Sequence, residues 1–286
     1  MKSLIILISL FFSTIILTFS MPIAVFHGIG DSCSNSGMQS ITSYFGREVG
    51  SYSKCIETAG GFFDFLFYSF EEQYKSACKA INADRNFDGD FSVVGLSQGA
   101  LLARAVIEKC EMKGRVKRYV SIGGPQAGVA KVPQCTGGWI CSVINGIADT
   151  FIYNYFVQNF IGPAGYFKNA NNLYAYQQGS IFLADLNNEK DTKNPDYKAR
   201  MINLDKVVLI KFAADTMILP GETAWFSFIN VNDEVINYKD TELYKQDFIG
   251  IKTLDEANKI HFVTLPGNHL RFSYSDIDSV MVPALK

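Results

Sequence analysis

Asp90–Cys110, DFSVVGLSQGALLARAVIEKC, is the stretch from which the rest of the chain is read. Phe91-Ser92-Val93-Val94 has the mostly apolar character of a short strand buried on both faces. From Gln98 to Cys110 the apolar residues Leu101, Leu102, Ala105 and Val106 recur at helical spacing. Between them lies Gly95-Leu96-Ser97-Gln98-Gly99, a G-x-S-x-G turn with serine at its apex. A strand doubling back into a helix leaves no room for side chains two residues either side of that serine. Ser97 is therefore the candidate nucleophile, and Gly95 and Gly99 are the elbow positions that let it stand there.

Outward from this unit the same rhythm continues. Ile23–Phe26 reads as a strand leading into His27-Gly28-Ile29-Gly30-Asp31, and Met38–Val49 as a helix. Lys54–Thr58 is a second strand, Phe70–Ala83 a helix, and Val116–Ile122 a strand ending in Gly123-Gly124-Pro125. Strands alternating with helices predict an α/β fold: a mostly parallel sheet with helices on both faces. The rhythm lapses over residues 131–203, an aromatic-rich stretch without alternation that reads as an inserted cap. It resumes with strands at Val207–Phe212 and Ile260–Leu265, followed by an amphipathic C-terminal segment.

Composition narrows the function classes. The 286 residues carry 26 basic and 28 acidic side chains, a net charge of −2, without a basic run. Nucleic acid is not an expected partner. Lys2 precedes an apolar run from Leu4 to Phe19, with Thr18 and Ser20 placed as at a cleavage site. Residues 1–20 thus read as a signal peptide, with the hydrolytic domain over 21–286 and no stable membrane span. Six cysteines, at 33, 55, 78, 110, 135 and 141, follow that segment, an even number that suits disulfides in an oxidising compartment. Cys135 and Cys141 could close a small loop, and Cys78 and Cys110 could tie two neighbouring helices. With three histidines and no C-x-x-C, neither a metal site nor another cofactor is expected.

A serine nucleophile needs a base, and the base an orienting carboxylate. On a doubly wound sheet these stand just beyond the carboxyl ends of later strands, in the order serine, acid, histidine. Val207–Phe212 is followed by Ala213-Ala214-Asp215-Thr216, and Ile260–Leu265 by Pro266-Gly267-Asn268-His269. Asp215 and His269 are accordingly the candidate acid and base, with Asp233 and Asp205 as rivals for the acid. His261 falls inside a strand, a structural position. The loop His27–Gly30 and the N–H of Gln98 are placed to form an oxyanion hole.

With these residues in view, the chain resembles the palmitoyl-protein thioesterases of the α/β-hydrolase fold. The resemblance is carried by HGIGDSC at His27–Cys33, GLSQGALLARA at Gly95–Ala105, SIGGPQAGV at Ser121–Val129 and SIFLADLN at Ser180–Asn187. It continues through LIKFAADT at Leu209–Thr216, ETAWFSF at Glu222–Phe228, ELYKQDFIGIKTLDEA at Glu242–Ala257 and GNHL at Gly267–Leu270. It implies a lysosomal or secreted enzyme that removes long-chain acyl groups from cysteines of S-acylated proteins or peptides and acts on long-chain acyl thioesters. Ser97, Asp215 and His269 match the family's triad, and Ile29 and Gln98 its oxyanion donors. Cys78–Cys110 and Cys135–Cys141 match family disulfides. Cys33 stands alone where the family pairs two adjacent cysteines, which leaves Cys55 as its expected partner. Asn268 occupies a position where an acid is common, and the sequence contains no N-x-S/T glycosylation site. Trp225 and Phe226, with the aromatic insertion, are expected to line an acyl groove. A general carboxylesterase or lipase, or a catalytically silent lipid-binding fold, are the alternatives that the same residues leave open.

Overall fold

Strands that read as continuous apolar runs need cover on both sides, and the sheet has it. The computed structural model describes residues 20–58, 68–130 and 151–286. Its main sheet has six strands: β1 Ile23–Phe26, β2 Ser53–Ile56, β3 Asp90–Leu96, β4 Arg115–Ile122, β5 Lys206–Phe212 and β8 Ile260–Leu265. They lie in the order β2-β1-β3-β4-β5-β8, and every pairing is parallel. A separate antiparallel pair, β6 Phe228–Ile229 and β7 Val235–Ile236, was not anticipated from sequence; two residues per strand are too few to show a period.

The pleat sends alternate residues to opposite faces. Ile23 and Val25 of β1, Val94 and Leu96 of β3, and Ile210 and Phe212 of β5 point one way. There they meet Met38, Phe45 and Val49 of helix α1 (Ser36–Val49) and Ile277, Met281 and Leu285 of the C-terminal segment. Ala24, Phe26, Phe91, Val93, Val207 and Leu209 point the other way, into a larger core with helices α2 (Phe70–Asn82) and α3 (Gln98–Lys109). Each fully buried leucine or phenylalanine in these layers is worth about 1.5–3 kcal/mol.

α2 starts where its chemistry dictates. Ser69 accepts from the Glu72 N–H, and the Glu72 carboxylate accepts in return from the Ser69 N–H, a complete capping box. Cys78 of α2 is joined to Cys110 at the end of α3, with Cα atoms 5.7 Å apart, and Cys33 is joined to Cys55 of β2 at 5.5 Å. Cys135, Cys141 and Trp139 lie outside the described residues, as do residues 1–19 and 59–67.

Between β4 and β5 the described part of the segment folds into short helices, Tyr155–Phe160, Leu173–Gly179, Leu183–Leu186 and Pro195–Met201. It is pinned to the larger core by Tyr176, Phe182, Leu183, Tyr197 and Met201. Phe182 packs on Phe70 of α2 with ring centroids 4.3 Å apart. Among the described residues, no helix is long and apolar enough to cross a membrane.

Strand order turns around between β1 and β3: the chain runs outward from β1 to β2, then returns to place β3 on the other side. In open α/β sheets the crevice at that point, beyond the carboxyl ends of the strands, is where ligands bind. The loop after β1 and the turn after β3 flank it.

Candidate active site

Ser97 occupies the turn between β3 and α3 with φ +52° and ψ −124°, a conformation that costs a non-glycine residue about 1–3 kcal/mol. It persists because neighbouring backbone holds it. The Ser97 N–H donates to Ile122 O at 2.8 Å, and the Ala100 N–H donates to Ser97 O at 3.0 Å. A Cβ at Gly95 would fall 2.3 Å from Ala100 Cα, and one at Gly99 would fall 2.3 Å from the His27 carbonyl oxygen. Both elbow positions therefore require glycine, for the reason given by the sharpness of the turn.

The loops after β5 and β8 meet at this serine. His269 Nε2 lies 2.8 Å from Ser97 Oγ, and His269 Nδ1 lies 2.7 Å from Asp215 Oδ2. The other carboxylate oxygen of Asp215 accepts from the N–H groups of Met217 (2.8 Å) and Ile218 (2.9 Å). With Asp215 as a carboxylate, Nδ1 carries the hydrogen and Nε2 is free to accept from the serine hydroxyl. The imidazole is further located by Phe212, whose ring meets it edge-on at 6.2 Å. Gly123, with φ +62°, passes so close that a Cβ would sit 3.2 Å from His269 Cε1.

The rival acids are elsewhere. Asp233 is exposed in the β6–β7 turn, and Asp205 precedes β5, where it pairs with Lys117 at 3.0 Å. His261 sits on β8 opposite Val208, as expected of a strand residue.

The two expected oxyanion donors, each a backbone N–H, belong to different elements that border Ser97. That of Gln98 is the first of α3, where the helix itself supplies no acceptor. Ile29 belongs to the loop after β1, and the preceding Gly28 lies against the serine: a Cβ there would be 3.3 Å from Ser97 Cβ. Among the described residues neither N–H has a protein acceptor.

Trp225 and Phe226, expected to line an acyl groove, both make packing contacts with the protein. Phe226 is 2% exposed, with its ring 5.2 Å from the Arg104 guanidinium, and belongs to the larger core. Trp225 packs against that core, donates its indole N–H to Leu209 O at 2.9 Å and meets Phe262 edge-on. Phe226 is thus a core residue, and Trp225 is a half-buried one packed against that core.

Arg104 was missed by sequence reading. It is fully buried in α3, where its guanidinium donates to Glu108 Oε1 (3.2 Å), Gln126 O (3.2 Å) and Asn187 Oδ1 (2.6 Å). The elbow helix, the loop after β4 and the segment before β5 are joined through this one side chain. The available signal was a charge placed on the apolar stripe of GALLARAV. His27, Cys33 and Glu57 also lie close together, but the Cys33 sulfur is taken up in a disulfide and offers no thiolate to a metal.

The sequence model of one family, described as palmitoyl protein thioesterase, matches residues 22–269. The chain belongs to that family. Palmitoyl-protein thioesterase 1 of Caenorhabditis elegans is 34% identical over 267 residues, 90% of this chain and 89% of that protein. Palmitoyl-protein thioesterase 3 of Dictyostelium discoideum is 31% identical over 94% of this chain and 91% of its own length. A lysosomal thioesterase PPT2 homolog of Drosophila melanogaster is 33% identical over a shorter stretch, 62% of this chain and 61% of that protein. Among solved structures, a Paleococcus ferrophilus monoacylglycerol lipase superposes with a TM-score of 0.48 at 13% identity, covering 93% of this chain and 96% of that one.

Proposed function

We propose that this protein hydrolyses long-chain acyl thioesters of cysteine in proteins and peptides through an acyl-enzyme on Ser97. The observation that carries the reading is the unbroken hydrogen-bonded series Ser97 Oγ, His269 Nε2, His269 Nδ1, Asp215 Oδ2, in a chain of the palmitoyl protein thioesterase family.

Ser97 Oγ attacks the thioester carbonyl as its proton passes to His269 Nε2. Asp215 keeps the imidazole in the required tautomer and stabilises the imidazolium that forms. The N–H groups of Ile29 and Gln98 receive the oxyanion, and each such donor is typically worth about 10²–10³ in rate. Collapse breaks the C–S bond, and His269 returns the proton to the departing sulfur. A cysteine thiol, with a pKa of about 8.5, leaves more readily than an alkoxide, so less is asked of the general acid. Water then attacks the acyl-serine by the same route, giving the fatty acid and free Ser97.

A signal peptide over residues 1–20 and a lysosomal or secreted location accompany this reading. The joined cysteines support an oxidising compartment, and the Drosophila relative carries the name of a lysosomal thioesterase. The test compares wild type and Ser97→Ala on an S-hexadecanoyl thioester and its oxygen-ester analogue. Thioester turnover abolished in the variant is expected. Faster cleavage of the oxygen ester would move the protein to the general esterases, and turnover retained by Ser97→Ala would remove the acyl-enzyme.

A further inference from the structure

His27 is 4% exposed, immediately before the loop that crosses Ser97, and both of its ring nitrogens are engaged. Nδ1 lies 3.0 Å from the carbonyl oxygen of Gly28, and Nε2 lies 2.8 Å from Glu57 Oε1. A carbonyl only accepts, so Nδ1 carries a hydrogen. Nε2 and Glu57 share the next proton, and either placement of it leaves the Nδ1 bond intact. The ring therefore acts as a rod between a carboxylate at the end of β2 and one peptide oxygen of the loop.

That oxygen belongs to the same peptide unit as the Ile29 N–H. In a trans peptide the two point in opposite directions, so a donor that holds the Gly28 oxygen also aims the Ile29 hydrogen. The Asp31 N–H reinforces the grip, reaching the same oxygen at 3.3 Å. Hydrogen bonding at the oxygen also polarises the unit and makes its N–H a stronger donor. The far end of the loop is fixed by the same carboxylate: Glu57 Oε2 accepts from the Cys33 N–H at 2.9 Å, and Cys33 is joined to Cys55, two residues before Glu57. One side chain just beyond β2 thus holds both ends of the segment 27–33.

We infer that His27 and Glu57 are positioning residues for the oxyanion, acting on it through the Gly28–Ile29 peptide; the inference rests on the acyl-enzyme reading above. It separates two variants of similar size. In His27→Asn the side-chain amide can occupy the place of Nδ1 and keep the bond to the Gly28 oxygen, while Glu57 is released. In His27→Gln the amide reaches the place of Nε2, keeps Glu57 and releases the peptide.

The experiment measures kcat and KM for a hexadecanoyl thioester, and the rate at which a small alkyl fluorophosphonate labels Ser97, in wild type and both variants. His27→Gln is expected to lose about 10–100-fold in kcat with KM little changed, because the interaction is made only in the transition state. His27→Asn is expected to stay within about fivefold of wild type, and labelling rates should fall in the same order. An amide at the place of Nδ1 always carries its hydrogens, but the imidazole needs a partner at Nε2 to fix its ring and keep the hydrogen on Nδ1. Glu57→Ala should therefore lose kcat where Glu57→Gln, which still bonds Nε2, keeps it, and this pair decides the matter if a His27 variant fails to fold. Equal losses in the Asn and Gln variants, or losses confined to KM, would overturn the inference. Should wild type label on Ser97 yet leave thioesters intact, the thioesterase reading fails, and the order of labelling rates alone decides the role of His27.

Discussion

Asn268 bonds directly to Thr216, so the residue before the histidine holds the residue after the acid. Asn268 Oδ1 accepts from the Thr216 N–H at 2.9 Å and from the His269 N–H at 2.6 Å, and its Nδ2 donates to Thr216 Oγ1 at 2.9 Å. The two loops that deliver Asp215 and His269 are stapled at their tips by a neutral side chain where the family resemblance leads one to expect an acid. Asn268→Ala should free both loops and lower kcat about tenfold, the scale of one or two lost hydrogen bonds. Asn268→Asp keeps both N–H contacts to the oxygen and should stay within a few-fold of wild type. Steady-state kinetics decide it, and an unimpaired Asn268→Ala would mean that the loops hold themselves.

The acid can be tested against its former rival. Asp215→Asn keeps the loop but presents an amide to His269 Nδ1, favouring the tautomer that cannot accept from Ser97. A fall in kcat of up to about 10⁴ is expected by analogy with other triads. Asp233→Asn, in an exposed turn, should leave kcat within about twofold. Matched kinetics of the two variants would expose a reversed assignment.

Much of this site was readable because parallel strands are buried on both faces. Ile23–Phe26 is an unbroken apolar run and Ile260–Leu265 a mostly apolar one, interrupted by His261 and Thr264, and the structural limits of both coincide with those read from sequence. Once the strand ends are known, Ser97, Asp215 and His269 follow, because the chemistry requires all three on one edge. What escaped was set by tertiary contact. Nothing around Glu57 marks it as the partner of a histidine 30 positions earlier, since β2 joins them only by lying beside β1. Arg104 looked like an ordinary helix residue because its partners come from two distant segments. For Trp225 and Phe226 the sequence stops short for the opposite reason: aromatic composition says that surface will be buried, but not whether protein or ligand buries it.

Glu108 gives stability a pH dependence with a defined sign. Burial pushes its carboxyl up to about 8 from an ordinary value of 4.5, outweighing the adjacent Arg104 guanidinium. The folded state thus retains a proton that the unfolded chain gives up near pH 4.5. Its contribution to stability is complete below that pH and is lost progressively as pH rises towards about 8, where the folded form ionises too. Glu108→Gln cannot titrate. Thermal melts between pH 4.5 and 8 should therefore show a downward slope in wild type that is shallower in the variant. Parallel slopes would show that the buried pair stays ionised throughout.

Trp225 separates a core from a groove. Its indole N–H reaches Leu209 O, its ring meets Phe262 at 5.8 Å, and Lys211 Nζ lies 4.4 Å from its ring centroid. Truncation to alanine leaves Leu209 O without that donor and opens space beside β5, so Trp225→Ala should destabilise the fold by about 3 kcal/mol. Because those contacts are internal, any loss of kcat/KM should be the same factor for butanoyl and hexadecanoyl thioesters. A groove residue would behave differently. Each methylene it sheltered is worth about 0.8 kcal/mol, so even a few of them would make the loss for the long substrate tenfold or more greater. Parallel losses across chain length, together with a lowered melting temperature, are the expected result. A selective penalty on the hexadecanoyl substrate in a variant that melts like wild type would return Trp225 to the acyl-binding surface.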